Sequence, residues 1–235
     1  MKMNNTINRR RKEMLDNLRI NELLDLEHTV AADIFSGLTY PWEALPRISE
    51  FIIALGKTLS PDEYDLIGDD IWVAKTARVA QTAYLHGPLI IWDDAEIRHC
   101  AFIRGSAVVG RGSVVGNSTE LKNCIIFDNA QVPHYNYIGD SILGYKSHLG
   151  AGAITSNLKS DRSLVTLPVN GEKFATGLKK FGAIVGDHVE VGCNSVLNPG
   201  TVVCRNSTVY PLSMVRGIVP PNTIYKKPGE LMEKR

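Results

Sequence analysis

The sequence predicts a mostly β protein built as a parallel β-helix, with a short helical segment at the N-terminus and one loop ejected from the coils. Three observations carry this prediction: a six-residue repeat of large apolar residues, small residues at a fixed offset inside each repeat, and one long interruption. The chain has 235 residues, which is enough for one such domain and a small appendage. With 44% hydrophobic and 22% charged residues, its composition is that of a globular protein.

The repeat begins at Ile67, from which every sixth residue is large and apolar. A period of six matches neither the two-residue alternation of a strand nor the 3.6-residue turn of a helix. It is typical of a parallel β-helix, in which each hexapeptide makes one flat side and three sides make an 18-residue coil. The predicted inward anchors are Ile67, Val73, Val79, Leu85, Ile91, Ile97, Ile103, Val109, Val115, Leu121 and Phe127.

Small residues follow most anchors by four positions, where a coil needs room for a tight corner. They are Ala77, Ala83, Ala95, Ala101, Ala107, Ser113 and Thr119. The spacing predicts about five coils from Ile67 to Thr155 and about two more from Val185 to Val219. After Phe127 the intervals alternate between five and six residues, so we expect a slip of the register there.

Residues 158–180 break the repeat altogether and predict a loop ejected from the coils. We therefore divide the chain into an N-terminal helical cap and linker (1–66), the β-helix (67–220) and a C-terminal tail (221–235). The apolar spacing in the first part predicts short amphipathic helices, one of them from Pro41 to Gly56. We expect them to cover the open first coil, as solenoid ends require, with partner binding or a subunit interface as the alternative.

Charge and cysteine usage exclude several classes of partner. The 26 Lys and Arg residues balance 25 Asp and Glu residues, so no net field attracts nucleic acid or a membrane surface. No apolar run is long enough to span a bilayer, and the basic residues near Arg10 are not followed by the apolar stretch of a secretory signal. The four cysteines form no CxxC pair, which argues against a metal site and favours a reduced, cytoplasmic protein.

Two cations are the first candidates for chemistry. Arg104 and Lys122 are 18 residues apart, and each follows an inward anchor, so both should leave the coil at the same corner on successive turns. Two cations about 4.8 Å apart repel each other, and an anion such as a phosphate between them would remove the repulsion. The alternative is a pair of solvated surface cations, with Arg104 near Glu96 or Glu120.

Other candidates lie beside the register slip and the ejected loop. His134 follows the slip and has Tyr135 and Tyr137 as neighbours, although a lone histidine is more often structural. Asn157 and Lys180 bracket the loop, so its two stems should be close together. His148 opens a glycine-rich run and is equally well an ordinary turn residue.

Three of these runs carry a resemblance to a known family. Residues 116–122, 133–140 and 149–157 are similar to the motifs of the acetyltransferase domain of the bifunctional bacterial enzyme that makes UDP-N-acetylglucosamine. The resemblance covers about residues 67–220. It implies a left-handed β-helix, a homotrimer with active sites between subunits, and acetyl transfer from acetyl-CoA to the amino group of an aminosugar 1-phosphate.

The resemblance also implies roles for single residues. Arg104 and Lys122 match the positions that bind the sugar phosphate, and Tyr137, Asn157 and Lys180 match further substrate contacts. His134 matches the general base. Backbone N–H groups at Gly150 and Ala151 would stabilise the thioester oxyanion. His148 stands where the family has a sugar-binding asparagine, and Cys193 and Pro211 replace a serine and an alanine on the acetyl-CoA side.

The N-terminal part bears a second resemblance. Residues 40–45 are similar to the linker that joins a nucleotidyltransferase domain to its β-helix in sugar-nucleotide pyrophosphorylases, but the glycine-rich signature of that catalytic domain is absent. We therefore expect an acetyltransferase that binds acetyl-CoA and a sugar phosphate. The alternative is a non-catalytic sugar-phosphate or nucleotide-sugar binding protein, or a regulatory partner of a nucleotidyltransferase.

Overall fold

The computed structural model describes residues 12–234, and within them the chain is a left-handed parallel β-helix with one inserted hairpin. Strands of successive coils pair in parallel, with Val79 opposite Ile97 and Ile97 opposite Val115, one 18-residue coil apart. The predicted fold class is confirmed. The first eleven residues of the predicted cap 1–66 and the last residue of the tail 221–235 lie outside the described residues.

The coils have three flat faces, which we number 1 to 3. Faces 1 and 2 form one 14-stranded sheet, because strands β10 (Glu120–Ile126) and β12 (Tyr137–Leu143) bend from face 2 to face 1, whereas face 3 forms a nine-stranded sheet. Face 1 also contains β2 (Ile71–Ala74), β5 (Leu89–Ile91), β8 (Ala107–Val109), β17 (Ala183–Val185), β20 (Thr201–Val203) and β23 (Ile218–Val219). Face 2 also contains β4 (Tyr84–His86), β7 (Phe102–Arg104), β14 (Ile154–Thr155), β19 (Val196–Leu197) and β22 (Met214–Val215). Face 3 contains β3 (Arg78–Val79), β6 (Glu96–Ile97), β9 (Val114–Asn117), β11 (Gln131–His134), β13 (His148–Leu149), β18 (Glu190–Val191), β21 (Thr208–Val209) and β24 (Thr223–Lys227).

The anchors from Val73 to Leu121 line the interior of the coils, but two predicted anchors do not. Ile67 is 56% exposed, because it lies in the strand before the first coil. Phe127 faces outward and packs on Phe35, while its neighbour Ile126 points inward opposite Val109. The slip of the register therefore comes before Phe127, where two coils shorten to 17 residues, as the pairing of Ile126 with Leu143 shows.

Both ends of the solenoid are closed by an antiparallel strand. β1 (Tyr64–Gly68) pairs with β2, and β25 (Glu230–Glu233) folds back on β24. Such strands cover edges that would otherwise expose unpaired backbone groups. The predicted boundary at residue 220 falls inside the last coil, because β24 still pairs in parallel with β21.

The N-terminal segment does not cap the open end of the first coil, where β1 pairs with β2, so that prediction is corrected. Its helices lie along face 1 from the last coils towards the first, because face 1 exposes an apolar residue in almost every coil. These outward residues are Trp72, Ile90, Val108, Ile125, Ile142, Ile184 and Val202. The segment contains a helix at residues 12–16, helices Ile20–Leu23 and Ile48–Gly56, and 3₁₀ helices Leu26–His28, Ala32–Phe35 and Pro41–Arg47.

Residues 158–180 form a hairpin rather than an irregular loop. Strands β15 (Thr166–Val169) and β16 (Glu172–Ala175) pair antiparallel, and a bridge between Leu158 and Lys180 joins the two stems. Buried residues Leu167 and Phe181 join the cluster around Trp42, whose ring centroid lies 5.8 Å from that of Phe181. The hairpin and the N-terminal segment therefore share one apolar core outside the coils.

Among residues 12–234, no helix combines the length and the apolar character needed to cross a bilayer.

Candidate functional site

The first part of the site is a corner at which two strands bend. β10 and β12 turn from face 2 to face 1 at Asn123 (φ 50°) and Asp140 (φ 46°), in the left-handed region that Asn and Asp tolerate better than most residues. Lys122 therefore ends the face 2 part of β10. Because Ile103 pairs with Leu121, Arg104 lies one coil below Lys122 at the same corner.

Asp140 organises the upper half of this corner. Its side chain is 5% exposed, and its two carboxylate oxygens accept hydrogen bonds from the Lys122 ammonium at 2.7 and 3.0 Å. The side-chain amides of Asn123 and Asn157 donate to the same carboxylate at 2.9 and 2.5 Å. The carboxylate thus fixes Lys122 and Asn157, two of the predicted substrate contacts, beside each other.

Arg104 organises the lower half. Its Nε donates to Glu120 at 2.5 Å, and this hydrogen bond raises the pKa of the guanidinium. Arg104 also acts on Tyr137 by lowering the pKa of its phenol, and the Tyr137 hydroxyl accepts a hydrogen bond from Asn157 at 3.2 Å. Burial raises the pKa of Tyr137 against the opposing effect of Arg104, so the phenol stays neutral near pH 7. Tyr137, Asn157 and Lys122 are thus linked through hydrogen bonds, and Arg104 interacts with them through Tyr137. We call these four residues the face 2 network.

The face 2 network corrects the argument that the stacked cations need an external anion. Glu120 pairs with Arg104 and Asp140 pairs with Lys122, so two carboxylates of the chain itself already compensate both charges. The sequence contained a signal for each. Glu120 stands two residues before Lys122, on the same side of a strand, and Asp140 directly follows Gly139, which lies opposite Lys122 one 17-residue coil later.

The second part of the site is a ladder at the corner between faces 3 and 2. The N–H of Gly152 donates to the carbonyl of His134 at 3.0 Å, that of Asn194 to Ala151 at 2.8 Å, and that of Leu212 to Cys193 at 2.9 Å. These bonds stack His134, Ala151, Cys193 and Pro211 on successive coils. We call these four residues the His134 ladder. The three residues above the imidazole are small or flat, so an open strip runs along the corner beside an exposed histidine.

The backbone beside His134 leaves one donor for an oxyanion. The N–H of Gly150 donates to Val191 at 2.7 Å, and the N–H of Gly152 donates to His134. The N–H of Ala151 between them has no acceptor among residues 12–234. Of the two groups predicted to stabilise a thioester oxyanion, Gly150 is thus engaged in coil pairing and Ala151 is available.

The two parts lie on opposite edges of face 2. His134 ends β11 on face 3, and the chain turns the corner at Tyr135 (φ 53°). Gly139, which pairs with Lys122, reaches the other edge of face 2. Tyr137, a member of the face 2 network, lies between these two edges on face 2. A ligand that spans this face would meet the imidazole at one end and the cations at the other.

Two predicted substrate contacts lie apart from the face 2 network. His148 is on face 3, where its Nδ1 lies 2.8 Å from Glu190, because β13 pairs with β11 and β18. Lys180 is exposed at the base of the hairpin, and in the described part of the chain its ammonium makes no ion pair. Within one chain, neither side chain joins Arg104 and Lys122.

Comparison with known proteins places most of the coils in one family. The model of the GMPPB C-terminal domain family matches residues 85–219, more than half of the chain. The bifunctional protein GlmU of Methanococcus vannielii is 39% identical over 136 residues, which are 57% of this chain and 33% of that protein. The bifunctional sugar-1-phosphate nucleotidylyltransferase/acetyltransferase of Sulfurisphaera tokodaii is 29% identical over 166 residues, 63% of this chain and 41% of that protein.

A solved structure similar to this chain is that of a single-site mutant of AntD, an N-acyltransferase from Bacillus cereus, in complex with dTDP-4-amino-4,6-dideoxyglucose and coenzyme A. It is 16% identical, with a TM-score of 0.37, and the match covers 72% of this chain and 83% of AntD. The chain spans about a third of the length of the first curated relatives it matches. Since the family model covers the coils from Leu85 to Val219, the chain belongs to the family of the GMPPB C-terminal domain.

Proposed function

We propose that the protein is an acetyl-CoA-dependent N-acetyltransferase that acts on an aminosugar 1-phosphate. The observation that carries this proposal is the pair of edges of face 2, with an exposed imidazole and an open strip on one and fixed cations on the other. The names of the relatives support it, since a bifunctional nucleotidylyltransferase/acetyltransferase matches over 41% of its length.

In this proposal His134 acts as the general base. Its imidazole takes a proton from the substrate ammonium or the attacking amine, because only a neutral amine is nucleophilic. The amine nitrogen bonds to the thioester carbonyl carbon, the C–S bond breaks, and the imidazolium of His134 returns its proton to the sulfur, so that coenzyme A leaves as the thiol. The free N–H of Ala151 donates to the oxyanion that forms in between. Ala151, Cys193 and Pro211 form the strip along which acetyl-CoA lies.

The face 2 network binds the sugar phosphate. Glu120 and Asp140 hold Arg104 and Lys122 in place, so the cations lose little conformational freedom when a phosphate arrives. The Arg104 side chain is 46% exposed and therefore accessible to a ligand. Tyr137 contributes a neutral hydroxyl donor beside the two charges, because its oxygen accepts from Asn157 and its own hydrogen is free within the described part of the chain. Asn157 donates both amide hydrogens inside the network, so it offers its Oδ1 as an acceptor for a sugar hydroxyl.

We further propose a homotrimer with its sites between subunits. Face 2 carries a column of paired positions with exposed apolar side chains, Tyr84, Phe102, Ile154 and Met214. The N-terminal segment covers face 1, so faces 2 and 3 remain for a cyclic interface. If face 3 of one subunit lies opposite face 2 of the next, His148 of the neighbour approaches the face 2 network. We place the protein in the cytoplasm, because its four cysteines are free.

A thiol-release assay with acetyl-CoA tests the proposal. The wild-type protein is incubated with glucosamine 1-phosphate, galactosamine 1-phosphate, free glucosamine or a nucleotide-linked aminosugar. We expect turnover with an aminosugar 1-phosphate and a kcat/KM at least tenfold lower for the sugar without phosphate. Thermal stabilisation by the sugar phosphates without any thiol release would instead support the non-catalytic binding protein, or regulatory partner, of the alternative.

A further inference from the structure

A second basic cleft lies between the inserted hairpin and the last coils. Its volume is about 540 Å³. On the solenoid side it is lined by Ser156, Asn198 and Arg216, which occupy one corner position on three coils, two residues beyond the paired positions Ile154, Val196 and Met214. The cleft thus continues the corner of Arg104 and Lys122 beyond the stem of the hairpin.

The hairpin forms a fixed wall of this cleft. Along β15, Leu167 and Val169 are buried against the outer core, so Thr166 and Pro168 between them face the cleft. Two glycines of the coils allow the hairpin to pack closely against them. A Cβ at Gly200 would lie 2.5 Å from Val165, and one at Gly217 would lie 2.8 Å from Pro168. The cleft is therefore part of the packed structure rather than a gap beneath a loose loop.

The charge inside the cleft is positive. Lys159, Lys173 and Arg216 line it together with one carboxylate, Asp161. Asp161 is engaged by Lys159 at 3.6 Å and by the hydroxyl of Ser163 at 2.8 Å. Among residues 12–234, no carboxylate pairs with Lys173 or Arg216. Lys173 on the hairpin and Arg216 on the coils, together with the hydroxyl groups that line the cleft, suit an anionic ligand.

We propose that this cleft binds a diphosphate-bearing small molecule of the nucleoside diphosphate class. The volume falls in the range of small-molecule sites and exceeds what a single phosphate fills. A diphosphate places its two charged groups between Lys173 and Arg216, and the remaining space accepts the nucleoside. The site is separate from the transfer reaction proposed above, so binding there is measurable without turnover.

Calorimetric titration with UDP and GDP at low salt tests this site. Replacing both exposed cations (Lys173→Gln together with Arg216→Gln) should raise Kd at least tenfold, and pyrophosphate should compete with the nucleotide on the wild-type protein. A matched control removes two exposed cations outside the cleft (Lys57→Gln together with Arg162→Gln) and should leave Kd within twofold.

Three results would overturn the proposal. The first is that neither nucleotide binds to the wild-type protein. The second is that Kd is unchanged in the cleft variant (Lys173→Gln together with Arg216→Gln). The third is that binding is lost in Arg104→Ala/Lys122→Ala and retained in the cleft variant. The last result would assign the diphosphate to the face 2 network. Loss of acetyl transfer in His134→Ala with nucleotide binding retained separates this site from the proposed enzyme activity.

Discussion

Lys122 and Arg104 occupy the same corner on successive coils, yet they differ in how much they contribute to the stability of the fold. Lys122 compensates a carboxylate that is almost fully buried, whereas Arg104 pairs with the partly exposed Glu120. An unpaired buried charge is costly, and an exposed ion pair contributes little to stability. The two cations are therefore expected to share a role in binding but not in folding.

This difference gives a prediction for the two alanine variants. Arg104→Ala should raise KM for the sugar phosphate at least tenfold, about 1.4 kcal/mol, with a stability change of about 0.5 kcal/mol. Lys122→Ala should raise KM similarly and also lower the free energy of unfolding by about 3 kcal/mol, because Asp140 keeps only two amide donors. Steady-state kinetics and urea denaturation measure both effects. Arg98→Ala, which breaks a similar pair on face 3, is the control. Unchanged KM values in both variants would show that neither cation binds the phosphate of the substrate.

Cysteine alkylation tests the His134 ladder. Burial raises the pKa of Cys124 and of Cys204 to about 12, so neither thiol ionises near pH 7, whereas Cys100 and Cys193 are exposed. N-ethylmaleimide on Cys193 should fill the strip above the imidazole and abolish acetyl transfer. Cys193→Ala should resist this inactivation, and Cys100→Ala should not. Equal inactivation of both variants would place acetyl-CoA elsewhere.

The position of the N-terminal segment follows from a feature that the hexapeptide pattern alone did not predict, the apolar residues on the outside of face 1. The anchors identify the inward residues, but the outward residue just before many of them is apolar too, as in Ile90–Ile91 and Val108–Val109. These doublets recur once per coil on face 1 and require a cover along the solenoid, not at its end. Following the residue before each anchor would have predicted the covered face.

Asp187 links the N-terminal segment to the coils. Its buried carboxylate accepts the N–H groups of Asp25 at 2.7 Å and Tyr145 at 2.8 Å, and it pairs with Arg205 at 2.9 Å. Asp187→Ala should lower the free energy of unfolding by about 3 kcal/mol, because two N–H groups and a guanidinium lose their partner together. Asp161→Ala, on the exposed hairpin stem, should lower it far less, because solvent screens an exposed ion pair. Denaturant unfolding compares the two, and equal losses would show that Asp187 does not hold the segment.

At the scale of the whole molecule, a period of six was sufficient to predict coils, corners and the point where the hairpin leaves them. The motifs placed Arg104, Lys122, Tyr137 and Asn157 among the candidates, and these residues form one network. Glu120 was named only as a partner of Arg104 in the alternative of two surface cations, and that pair is present. Asp140 was missed because its role depends on contacts between coils. The second cleft was not predicted for a similar reason, since Lys173 and Arg216 line the same cleft only because the hairpin folds back onto the coils.

The proposed trimer predicts that face 2 is an interface. Met214→Glu introduces a charge into its exposed apolar column and should convert the trimer to a monomer with lower activity. Met232→Glu makes the same change at a similarly exposed residue of the terminal hairpin and should leave the trimer intact. Light scattering after size exclusion reports the mass. A monomeric wild-type protein, or two variants with equal masses, would contradict the assembly.

The proposed mechanism assigns the proton transfer to the exposed imidazole of His134 and the binding of the sugar phosphate to the face 2 network. The most direct measurement compares His134→Ala with the wild-type protein in two assays on the same sample, thiol release from acetyl-CoA and thermal stabilisation by the aminosugar 1-phosphate. We predict that turnover falls at least a hundredfold, in the range of general-base catalysis, while the stabilisation by the sugar phosphate is retained. Turnover of His134→Ala within a few-fold of wild type would contradict the role of His134 as the general base.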